Sequence, residues 1–145
     1  MKKIQVYNVP PILIINLKRF RGNYAKSNTL VHFPLKNLDM TSFVVNNDGE
    51  KPIYDLFAVS NHFGQLQSGH YTAMCLNAGA WYSFSDHKIS AVTDDKQIIS
   101  SAAYILFYKR RGINFTQLNY KQIQNTPESV YGEEATANLF GTGGT

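Results

Sequence analysis

Cysteine is almost absent: Cys75 is the only one in 145 residues. One thiol cannot build an internal disulfide framework or a multi-cysteine zinc site. Such usage fits a reducing compartment, and the expected location is the cytoplasm or nucleus. Histidine is scarce too. His32, His62, His70 and His87 are separated by 30, 8 and 17 residues, which matches no zinc pattern, so neither a metal nor another cofactor is expected. No apolar run approaches the roughly 20 residues that a bilayer-spanning helix needs. Met1-Lys2-Lys3 opens no signal-peptide pattern, lacking the apolar core and small-residue cleavage site. No membrane association is expected.

Charge is also sparse, at 17% of residues with a net of +4. It is uneven: residues 1–111 hold 13 Lys/Arg against 7 Asp/Glu, a net of +6, and residues 112–145 hold 1 against 3, a net of −2. The basic groups Lys18-Arg19-Arg21 and Lys109-Arg110-Arg111 stand at the ends of apolar runs. That placement predicts a solvated rim of strand ends and no nucleic-acid partner.

What the chain does have is apolar and aromatic mass. Hydrophobic residues make up 43% and aromatics 13%, with nine Tyr and nine Phe. This is a globular composition that favours β-structure over a helical bundle, in a chain long enough for one core.

Pro10-Pro11 launches the β-branched run Ile12-Leu13-Ile14-Ile15-Asn16-Leu17, which predicts a strand buried on both faces and stopped by Lys18-Arg19. Residues 23–28 read as loop, Leu30 to Leu35 as a short extended piece ending at Pro34, and Phe43-Val44-Val45 as another. Asn46-Asn47-Asp48-Gly49 is a turn signal, and Tyr54 to His62 reads as a strand. Gly64-Gln65-Leu66-Gln67-Ser68-Gly69 is a polar loop bounded by glycines. Two strands follow, His70 to Leu76 and Trp81 to Phe84, joined by the hairpin signal Asn77-Ala78-Gly79-Ala80. Thr93 is the expected N-cap of a short helix over 93–99, and Ala102 to Tyr108 is a last apolar strand. After Arg111 the chain turns rich in Asn, Gln, Thr and Gly. Residues 1–111 are thus expected to form the folded body, an α+β arrangement of mostly antiparallel sheet with little helix. Residues 112–145 are expected to form a flexible tail with a small docked segment at Phe115 to Tyr120.

His70 stands apart from the other histidines because it opens a strand directly after the small pair Ser68-Gly69. A histidine there is placed to meet an extended substrate backbone; the alternative is a half-buried side chain with a backbone partner. The hairpin adds to the case. If Asn77 pairs with Ala80, paired positions sum to 157, so His70 lies opposite His87 and near Ser85. A loop one residue shorter puts Asp86 opposite His70. Either register brings a group that can accept the imidazole Nδ1 proton and leave Nε2 free as a base. The nucleophile is missing from this set. Cys75 lies five residues along the same strand, facing the other side of the sheet, and reads as a buried small hydrophobe. Ser68 lacks the strained elbow of a serine nucleophile.

The runs Val9 to Phe20, Gly69-His70-Tyr71-Thr72-Ala73, Trp81-Tyr82-Ser83-Phe84-Ser85-Asp86 and Ala103 to Tyr108 together resemble the C-terminal half of the ubiquitin-specific protease family. That family is thiol-dependent, with a papain-like core of thumb, palm and fingers. The resemblance implies that residues 1–111 are the palm part of such a domain and that His70 is the base activating a cysteine thiol. It further implies that Gln65 to Gly69 is a blocking loop around ubiquitin's C-terminal tail, with Gln67, Ser68, Gly69 and Tyr71 as substrate-binding positions. The orienting position, commonly Asp or Asn followed by Asp, is here Ser85 followed by Asp86. Ser85 takes the orienting role, and Asp86 supports or replaces it. The cysteine box has no counterpart in this chain. The implied function is hydrolysis of the bond after ubiquitin's C-terminal glycine, with ubiquitin or ubiquitinated proteins and an N-terminal cysteine-box half as partners. The chain alone is expected to be inactive. The alternative is a non-catalytic ubiquitin-binding or scaffold module.

Overall fold

The computed structural model describes residues 5–20, 25–45, 49 and 51–113. Seven strands follow one another: β1 (Ile12–Asn16), β2 (Leu38–Asp39), β3 (Ile53–Gly64), β4 (Gly69–Asn77), β5 (Ala80–Ser85), β6 (Lys88–Val92) and β7 (Ala103–Arg110). They form a single antiparallel sheet in the order β1-β7-β3-β4-β5-β6, with β2 paired to β3. Among the described residues helix is confined to two short 3-10 turns, Thr41–Phe43 and Asp95–Gln97. The expected tail and its docked segment lie outside the described residues.

The long central strand β3 shows how side-chain alternation makes the core. Tyr54 and Leu56 are buried, two residues apart, as period-2 geometry requires. The next buried residues are Val59 and Asn61, because Leu56 pairs with Tyr108 while Ala58 pairs with Phe107. Phe57 is therefore the extra residue of a bulge that resets the phase. Leu106 and Tyr108 of β7 pack on the same cluster, and Val9, Phe33, Trp81 and Ile98 cover it. Each fully buried aliphatic side chain here contributes on the order of 1.5–3 kcal/mol. Two core tyrosines also satisfy proline carbonyls: the Tyr108 hydroxyl donates to Pro34 at 2.8 Å, and that of Tyr54 donates to Pro10. Burial pushes the Tyr108 phenol up to about 12.

Several sequence expectations need correction. The run at β1 is not buried on both faces, since Ile14 is 58% exposed. β1 lies at an end of the strand order and, among the described residues, pairs with β7 alone. Arg19 does not stand on a solvated rim. It is only 3% exposed, its Nε donating to Ala103 O at 2.9 Å and its Nη1 to Ser27 O and Thr29 O. The flat guanidinium fork bonds three carbonyls from two segments, which an ammonium head could not span. Phe43 ends a 3-10 turn and Val44 makes an isolated bridge to Val6, so residues 43–45 are not one extended piece. The piece Leu30 to Leu35, expected only as extended, lies outside the named strands, and Leu35 O accepts from Leu56 N at 2.9 Å. The short helix after β6 is capped by Asp94, whose carboxylate accepts from Lys96 N at 2.9 Å, rather than by Thr93. Strand β6 was not expected at all.

Candidate active site

The β4–β5 hairpin sets the site. Asn77 pairs with Ala80 and Ala73 with Phe84, the register that sums to 157. Its turn residues Ala78 and Gly79 have φ of 47° and 84°, the two positive values of a type I′ turn, whose twist matches the strands. The shorter-loop register is therefore excluded. β5 ends at Ser85, and Asp86-His87 turns the chain into β6 with φ of 51° at Asp86. The turn breaks the ladder before His87 can pair with His70, and His87 is exposed.

Continuing the register places Ser85 beside Thr72, and His70 two residues further on the same face. The two side chains are thus diagonal neighbours, within reach of long side chains. His70 Nε2 lies 3.0 Å from Ser85 Oγ and 3.9 Å from Asp86 Oδ2. This corrects the ring assignment, because the contact with Ser85 is made by Nε2 rather than Nδ1. Nε2 is the ring nitrogen farther from the backbone, so a partner reached across the diagonal meets it first. In the tautomer that carries its proton on Nε2, Nε2–H donates to Ser85 Oγ and Nδ1 is the acceptor. The His70 side chain is 48% exposed, open to an incoming group.

The loop beside His70 is tight. Gly64 pairs with Gly69, closing a four-residue loop over Gln65–Ser68, and Gln65 N donates to Ser68 O at 2.9 Å. Gly64 has φ of 94°, and a Cβ there would lie 2.6 Å from Ser68 O, so only glycine fits. Gln67, Ser68 and Gly69 are all exposed. Tyr71 pairs with His62 and turns to the sheet face opposite His70.

Cys75 does not join the site. An odd separation along β4 puts it on the face opposite His70. It is half-buried, less enclosed than expected, and burial pushes its thiol up.

One residue escaped sequence analysis. His62 is 3% exposed and packs on Tyr71 at 4.7 Å, Phe20 at 5.5 Å and Tyr104 at 6.0 Å between ring centroids. Burial holds its imidazole below the usual histidine range, and the nearby Lys26 ammonium adds to this. Lys26 Nζ donates to the His62 backbone carbonyl. The glycines at 64 and 69 carried the signal: pairing them puts His62 opposite Tyr71.

Residues 2–108 match the ubiquitin carboxyl-terminal hydrolase family. The chain belongs to that family. It is 45% identical over 115 residues to ubiquitin carboxyl-terminal hydrolase 15 of Rattus norvegicus, covering 76% of this chain and 12% of that protein. It is 44% identical over 119 residues to ubiquitin carboxyl-terminal hydrolase 4 of Pongo abelii, covering 79% of this chain and 12% of that one. The chain thus spans about 12% of the length of these curated relatives. Among solved structures, the SAGA Ubp8/Sgf11/Sus1/Sgf73 DUB module bound to ubiquitin aldehyde matches with a TM-score of 0.66 at 28% identity, over 76% of this chain and 26% of that one. A yeast SAGA DUB module matches with a TM-score of 0.65 at 29% identity, over 76% and 27%. The sheet accordingly matches a papain-like ubiquitin-specific protease domain.

Proposed function

We propose that these residues supply the general base of a thiol-dependent deubiquitinase. The bond cleaved is the one after ubiquitin's C-terminal glycine, and the nucleophile is a cysteine in an N-terminal half of the same catalytic domain. The observation that carries this is the 3.0 Å contact between His70 Nε2 and Ser85 Oγ, which occupies Nε2 and supports Nδ1 as the base. Family membership and a structural relative whose title records bound ubiquitin aldehyde add to it.

In the proposed reaction Nδ1 takes the thiol proton, and the thiolate attacks the glycine carbonyl carbon. The tetrahedral intermediate collapses to a thioester as the imidazolium returns that proton to the leaving amine. His70 then takes a proton from water, which attacks the thioester, and the freed thiol and the ubiquitin carboxylate complete the cycle. Ser85 holds the ring through Nε2 and Asp86 supports it. Gln67, Ser68 and Gly69 border the path of the extended ubiquitin tail beside His70, and Tyr71 borders it from the opposite face of β4.

Two measurements on the native full-length protein test this. Ubiquitin carrying a C-terminal electrophile forms a covalent adduct on a cysteine other than Cys75. His70→Ala lowers cleavage of a ubiquitin amide by roughly 10²–10⁴-fold, the usual worth of a positioned base. Ubiquitin binding with neither adduct nor cleavage would instead support the scaffold alternative.

A further inference from the structure

We propose that His62 is the positioning residue that fixes His70, acting through the backbone of Gly69 and Tyr71. The inference rests on the base role given to His70 above.

His62 sits on β3 directly opposite Tyr71, and Phe63 sits opposite His70. Its ring therefore lies on the sheet face that His70 does not use, beneath the two residues that flank His70 in sequence. Contact on both sides is close. A Cβ at Gly69 would fall 2.2 Å from His62 Nε2, so the ring fills the place where any other residue's side chain would begin. The Tyr71 ring lies 4.7 Å away on the other side. Phe20 and Tyr104 wall the ring in, and they pack on each other at 6.0 Å. Lys26 Nζ ties down the His62 carbonyl.

The chemistry of His62 argues for a mechanical part rather than a proton-transfer one. Its Nδ1 is buried and has no hydrogen-bond partner among the described residues, and it lies on the sheet face opposite His70. A flat, neutral ring can wedge under a glycine where an aliphatic side chain of equal volume would not slide. Fixing the backbone on both sides of residue 70 leaves the His70 ring to be set by its bond to Ser85. A displacement of about 1 Å at a catalytic group can cost on the order of 10²-fold in rate.

The test uses the native full-length protein with ubiquitin bearing a fluorogenic amide on its terminal glycine. His62→Ala is expected to lower kcat by about 10–100-fold, with KM within about threefold. His62→Gln, whose flat amide reaches toward the Nε2 position, recovers most of kcat. A second readout does not need activity: ring ¹⁵N shifts of His70, assigned with His70→Gln, report the Nε2–H tautomer in the wild type and a tautomer mixture in His62→Ala. The proposal is overturned by an unchanged kcat in folded His62→Ala. A rise in KM alone also overturns it, because the ring would then serve Tyr71 and the substrate path. An unchanged His70 tautomer pattern in His62→Ala likewise counts against it. A wild-type protein that cleaves nothing would defeat the deubiquitinase assignment, while the ¹⁵N comparison would still decide the positioning role.

Discussion

Ser85 Oγ lies 3.0 Å from Nε2 of His70, whereas the carboxylate of Asp86, the next residue, stays 3.9 Å away. The hydroxyl is therefore within hydrogen-bonding distance and the carboxylate is not. Ser85→Ala in the full-length protein is expected to lower kcat by about fivefold, since a neutral hydrogen bond is worth roughly 1 kcal/mol. Asp86→Ala should cost less, and Ser85→Asn, which offers an amide oxygen at the same place, should restore much of the loss. Steady-state kinetics with a ubiquitin amide checks all three. Equal small losses from Ser85→Ala and Asp86→Ala would leave neither in the orienting role.

Two glycines of the same hairpin region should respond differently to one added methyl. At Gly69 a Cβ would meet the His62 ring at 2.2 Å and Phe63 O at 2.7 Å, and the second is backbone that cannot step aside. Gly69→Ala is expected to reduce cleavage by roughly 10²-fold through displacement of the adjacent His70. At Gly79 nothing lies within 4 Å, but φ is 84°. Gly79→Ala is expected to cost about 1 kcal/mol of stability from backbone strain while kcat holds. Denaturant unfolding and kinetics on the two variants separate these effects.

The sequence disclosed the hairpin chemistry better than the burial. Asn77 to Ala80 announced its own turn, and from that register alone Ser85 came within reach of His70. What stayed hidden depended on partners far along the chain. Ile14 reads as core in any local window, yet its strand's place at one end of the sheet order exposes it. Arg19 reads as a surface cation, yet carbonyls from residues 27, 29 and 103 enclose it. β6, Lys88–Val92, is largely exposed and carries no hydrophobic run, so only its ladder with β5 reveals it. The choice between Nδ1 and Nε2 turns on the angle at which Ser85 approaches, which spacing does not encode.

Cys75 is expected to be chemically quiet. Burial pushes its thiol up, so less of it is thiolate at neutral pH than for a free cysteine. Iodoacetamide labelling at pH 8, read by peptide mass, should proceed more slowly at Cys75 than at a cysteine in an unstructured peptide. Cys75→Ala should leave cleavage of a ubiquitin amide unchanged, because the side chain faces away from His70. A loss of activity would mean that the two faces of β4 are coupled.

Asp55 ties β3 to the end of β7 and gives the fold its clearest acid sensitivity. Its carboxylate accepts from Arg111 Nε at 2.6 Å and Nη2 at 2.8 Å, and from the backbone N–H of Asn37 at 3.0 Å. Asn37 has φ of 62°, so the third bond also holds a residue in the left-handed region. The Arg111 hydrogen bond is the main reason that Asp55 is held below the usual carboxylate range, outweighing partial burial. Between that lowered value and the unfolded one near pH 4, the unfolded chain binds more protons than the native state. Stability therefore rises with pH through this window, is fully present above it, and is lost as pH falls through the folded value. Arg111 is half-exposed, which screens the pair and limits its worth to about 1 kcal/mol. Urea unfolding of wild type and Asp55→Asn should differ by about that amount at pH 7 and converge toward pH 3. A constant gap across the range would assign the loss to packing rather than to the ion pair.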